Sequence, residues 1–82
     1  MVDDTLRAKL RSKRLPEDTD GLMRWLVTHR ITPHVERFPD GGWGVRGDGA
    51  SRQPRMHHGR SLREALAYLA LAVATGLNSH NA

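Results

Sequence analysis

Apolar positions along the chain recur at two periods, and each period predicts an element. Leu22, Trp25, Leu26 and His29 lie three and four residues apart and mark one face of a helix running to about Arg30. Pro16 disfavours helix at Leu15, and Asp18 or Thr19 supplies the N-cap. Leu62, Leu66, Leu69 and Val73 form a second helical stripe. Its start, Ser61-Leu62-Arg63-Glu64, has the form of a capping box: the Ser61 hydroxyl can accept the Glu64 N–H while Glu64 reaches back. Gly76 predicts the stop of this helix, with 78–82 left as a polar tail. At the other end, Leu6 and Leu10 run beside Arg7, Arg11 and Arg14, with Asp3 or Asp4 able to cap. That pattern predicts a basic arm or short helix over 1–15, marginal unless it docks.

The middle of the chain alternates instead. Pro33 to Phe38 reads as an extended segment, and Pro39-Asp40-Gly41-Gly42 is a hairpin turn. Trp43 to Arg46 resumes as a strand with Trp43 and Val45 on one face, and Gly47 to Ser51 reads as another turn. A third strand around Arg52 to His57 is confined to an edge by Pro54. The whole order predicts an α+β fold. It is a small antiparallel two- to three-stranded meander packed against two helices on one face, preceded by the basic arm. Residues 16–77 then make a single α+β domain.

Composition narrows the function classes. The 82 residues allow one core, and it must be built from Leu, Val and Ala, because the aromatics are only Trp25, Phe38, Trp43 and Tyr68. With no cysteine there is no disulfide framework, Cys-ligated zinc or thiol chemistry. No apolar run follows Met1 or nears the roughly 20 residues of a membrane span, so a cytoplasmic protein with no membrane partner is expected.

Charge is segmented. The net +4 comes from eleven Arg and two Lys against nine acids. Residues 1–15 carry five basic side chains and two acidic ones, and residues 16–21 reverse the sign through Glu17, Asp18 and Asp20. Residues 51–63 hold Arg52, Arg55, Arg60 and Arg63 with no acid, and residues 65–82 hold no formal charge. Arginine suits bidentate contacts to phosphate or carboxylate. Arg52, Arg55, Arg60 and Arg63, joined by Arg46, are therefore one candidate anion-binding surface, and Arg7, Arg11 and Arg14 a second. A solvated edge strand and a solubilising tail are the alternatives.

The last helix carries a further signal, because Tyr68, Leu71 and Thr75 project opposite its inward stripe. A homodimer or partner helix on that face is one expectation. The other is that the amino-terminal arm folds back and covers it with Leu6 and Leu10. Catalysis has little support, and no cofactor is implied. His57 and His58 are adjacent, so a strand points them to opposite faces, and no His pair has helical ligand spacing. No nucleophile elbow, phosphate loop or zincin motif is present. The expectation is a protein that is not an enzyme and holds no metal.

The unit Trp43-Gly44-Val45-Arg46, a polar turn, then Gly59-Arg60-Ser61-Leu62-Arg63-Glu64-Ala65-Leu66 resembles small bacteriophage and prophage accessory proteins of helix-strand-strand-helix type. The resemblance spans roughly residues 18–75 and specifies shape better than activity. The meander-then-helix portion is also similar to the arm-type DNA-binding domains of phage-type integrases. The chain departs from those in placing Leu22 to Arg30 as a helix before the sheet and Pro54 in the third strand. The first resemblance implies a non-enzymatic protein in a bacterial host cell. Such a protein would bind a host protein or nucleoprotein complex and inhibit or modulate nucleic-acid handling, as anti-CRISPR proteins do. The second implies direct DNA or RNA binding, as a small regulator or recombination accessory factor.

Overall fold

A computed structural model of the chain describes residues 2–49 and 56–80. In chain order these form α1 (Val2–Ser12), α2 (Thr19–Thr28), β1 (Thr32–Arg37), β2 (Trp43–Asp48), β3 (Met56–Gly59) and α3 (Leu62–His80). The α+β expectation holds.

Local chemistry sets the helix ends. Asp18 is extended at the N-cap of α2, and its carboxylate accepts the Gly21 N–H. At α3 the Ser61 hydroxyl accepts the Glu64 N–H at 3.1 Å, while Glu64 reaches back to the N–H of Arg60, one residue earlier than a capping box requires. The first two helices stop in the same way. The Leu15 N–H bonds the Leu10 carbonyl and the Arg14 N–H bonds that of Arg11. Likewise the Ile31 N–H bonds Leu26 and the Arg30 N–H bonds Val27. These are Schellman closures, each with a pair of buried aliphatic side chains (Leu10 with Leu15, Leu26 with Ile31) at its base. The left-handed residue is Arg14 (φ 58°) in one and Arg30 (φ 62°) in the other, where glycine is the usual occupant. Because Arg30 turns the chain back, α2 ends at Thr28, two residues before the expected end.

The sheet is antiparallel in the order β1-β2-β3. Val45 pairs with Val35 on one side and His57 on the other, and Gly44 pairs with Glu36 and His58. Strand alternation therefore sorts two faces. Trp43, Val45 and Gly47 look toward the helices with Val35, His57 and Gly59. Gly44, Arg46 and Asp48 look away with His34, Glu36, Met56 and His58. The core lies on the helix side, where Val45 belongs to one buried cluster with Leu22, Leu26, Ile31, Leu66 and Leu69. Gly59 lets α3 lie close, since a Cβ there would stand 2.5 Å from the backbone nitrogen of Ala65.

Three expectations need correction. Gly47 and Asp48 belong to β2 and not to a turn: Gly47 is buried, and a Cβ on it would press into Ile31 and Leu69. The third strand is Met56–Gly59, two residues past the expected end at His57; positions 50–55 lie outside the described residues. Gly76 does not stop α3, which continues to His80, and nothing lies within 4 Å of where its Cβ would be. The amino-terminal segment is a helix folded back on α3, and Leu6 and Leu10 are part of the core.

Candidate functional site

The chain's basic segments meet at Glu17. This residue sits in the α1–α2 connection, held there by the Schellman turn at Arg14 and the N-cap at Asp18. Its carboxylate accepts the Arg11 Nε–H at 3.0 Å, and its backbone carbonyl accepts an Nη1–H of Arg63 at 3.2 Å. Arg11 is exposed, and its pKa is raised, first by the hydrogen bond to Glu17 and then by that residue's charge. Arg63 is half-buried. Arginines more than fifty positions apart in sequence are thus drawn to one side of the molecule, where α1 approaches the start of α3. Arg7 stands one turn before Arg11, Arg14 follows the end of α1, and Arg60 precedes Arg63. All three are exposed.

The other sequence candidates fall elsewhere. Arg46 is exposed on the face of β2 that looks away from the helices. Arg52 and Arg55 lie outside the described residues. Tyr68 and Leu71 are half-buried and pack against the chain's own core, and Thr75 is exposed. His57 and His58 do point to opposite faces. His29 is occupied locally, its Nδ1 at 2.8 Å from the Trp25 carbonyl and its ring against Trp25. His34 approaches Asp48 at 3.7 Å. Among the described residues no group of three or more His, Cys, Asp or Glu is placed to hold a metal ion. No helix of the described residues is long and apolar enough to cross a membrane.

A second constellation escaped the sequence reading. On the open face of the sheet, Phe38 and His58 are stacked, ring centroids 5.1 Å apart and planes 18° from parallel. Phe38 and Met56 close over Gly44, whose register partner on β3 is His58: a Cβ at Gly44 would stand 2.7 Å from the Met56 sulfur and 2.8 Å from the Phe38 ring. The stacked pair borders an open pocket of about 530 Å³ at the hairpin end of the sheet. Trp43, Arg60, Glu64, Asp40 and three glycines complete its lining. Two carboxylates line it, and each already accepts a backbone N–H: Asp40 that of Gly42, Glu64 that of Arg60. Arg37 lies over the Trp43 ring at 5.1 Å. The signal in sequence was the even-numbered register of Phe38, Gly44 and His58, which becomes visible only once the strand pairing is fixed.

No protein-family model matches the chain, and neither the curated proteins nor the solved structures include a match.

Proposed function

We propose that the chain is a non-enzymatic binding protein of phage or mobile-element type that inhibits or modulates a host nucleic-acid-handling complex. Its contact would be the arginine surface formed by α1 and the start of α3. The observation that supports this reading is the junction at Glu17, which gathers Arg11 and Arg63, with Arg7 and Arg14 exposed along the same amino-terminal segment. Clustered guanidiniums favour phosphate or carboxylate arrays, since each can donate two parallel hydrogen bonds.

Affinity capture from a bacterial host lysate, with and without nuclease, tests the reading. The expected result is recovery of a nucleic-acid-handling complex that survives nuclease treatment. Recovery of no such complex would overturn it.

A second reading, direct nucleic-acid binding, is favoured by one specific observation: the stacked Phe38–His58 pair on the sheet face turned away from the described helices. Its mark is affinity for purified nucleic acid that falls linearly on a log–log salt plot.

A further inference from the structure

We propose that the open face of the sheet holds a stacking site for a base of single-stranded nucleic acid, centred on Phe38 and His58. The proposal rests on the second reading above and specifies its ligand.

The geometry favours a planar ligand. Phe38 and His58 present rings held nearly parallel, and Gly44 lets the Phe38 ring sit low against the strand because no Cβ stands beneath. A base has a π-face whatever its identity, so such a platform accepts one without reading its edge. Within a duplex the bases are stacked on one another, and side chains reach only their edges in the grooves. An unstacked base in a single strand has no such barrier, which selects the single strand over the duplex. The adjoining pocket of about 530 Å³ is roomy enough for a nucleoside.

Two arginines border the platform among acidic neighbours. Arg46 faces the same side of the sheet as Gly44 and His58, and Arg60 lines the pocket. Asp40 and Glu64 also line the pocket and keep their charge while each accepts a backbone N–H, so stacking on the rings supplies more of the binding than phosphate contact. Glu36 and Asp48 share the sheet face with Arg46, so the platform favours a base over a phosphate array.

The test is fluorescence anisotropy of a labelled oligothymidylate on the full chain, beside a duplex of the same length and thymidine monophosphate as competitor. The expected result is tighter binding of the single strand than of the duplex. Phe38→Leu keeps an apolar side chain over Gly44 and should weaken single-strand binding about tenfold or more, while Phe38→Tyr should retain it. In the wild-type chain, the His58 ring protons should shift on addition of the oligonucleotide, a readout independent of any variant's folding. Unshifted His58 protons, equal affinity for the two nucleic acids, or monophosphate binding as tight as the strand would each overturn the proposal. Duplex binding indifferent to Phe38 overturns the stacking site while direct nucleic-acid binding stands. Binding of neither nucleic acid overturns both, and leaves the host-complex reading to its own capture experiment.

Discussion

Close approach at single residues does much to place the elements, and two substitutions of opposite sign test it. At Gly44 an added methyl meets the Met56 sulfur and the Phe38 ring. Gly44→Ala should therefore cost about 1–3 kcal/mol, the usual penalty for overpacking a fitted site. Thermal unfolding by circular dichroism reads this as a lower Tm. Arg30 presents the reverse case, a side chain in left-handed backbone where glycine is unstrained. Arg30→Gly relieves about 1–2 kcal/mol of strain but gives back part of it as chain entropy, so the Tm should rise by a few degrees. A fall would show that the Arg30 side chain contributes more than its backbone strain costs.

At the scale of elements, the sequence leaves the amino-terminal segment open between an arm and a short helix folded back on α3, and the structure takes the second, with Leu10 fully buried and Leu6 nearly so. Leu10→Ala should cost about 2–5 kcal/mol, the range for truncating a leucine in a packed core. A loss below 1 kcal/mol in chemical denaturation would mean that α1 is a detachable arm. In α3 the helix runs through Gly76 with open space at its Cβ position, so Gly76→Ala should gain about 0.5–1 kcal/mol of helix stability. Were Gly76 a helix stop in left-handed backbone, the same change would destabilise.

These cases show what was legible. Helical stripes, the Asp18 cap, the Ser61 cap and the Asp40-Gly41-Gly42 turn are local, and each was readable from a few neighbouring residues. The Schellman stops were not, because an arginine stands where glycine would have signalled them. The Glu17 junction and the Phe38–His58 stack depend on pairing across dozens of residues. Only strand register and helix docking reveal them.

For the molecule as a whole, both flanks of α3 are furnished by the same chain: the sheet on one side, α1 and α2 on others. The apolar face carrying Tyr68 and Leu71 packs against that shared core. Sedimentation should accordingly give a monomer of 9.2 kDa, and a stable dimer would return α3 to the role of interface. Charge, in contrast, is left outward. Among the described residues, no buried side chain is polar or charged.

The most direct test of the arginine surface is charge reversal at its exposed members, Arg7→Glu with Arg14→Glu, measured as quantitative capture of the host complex at fixed salt. Wild-type protein should retain the complex, and the doubly reversed chain should lose at least nine-tenths of it, about 1.4 kcal/mol or more, with an unchanged circular dichroism spectrum. Full capture by a folded, doubly reversed protein would contradict the account.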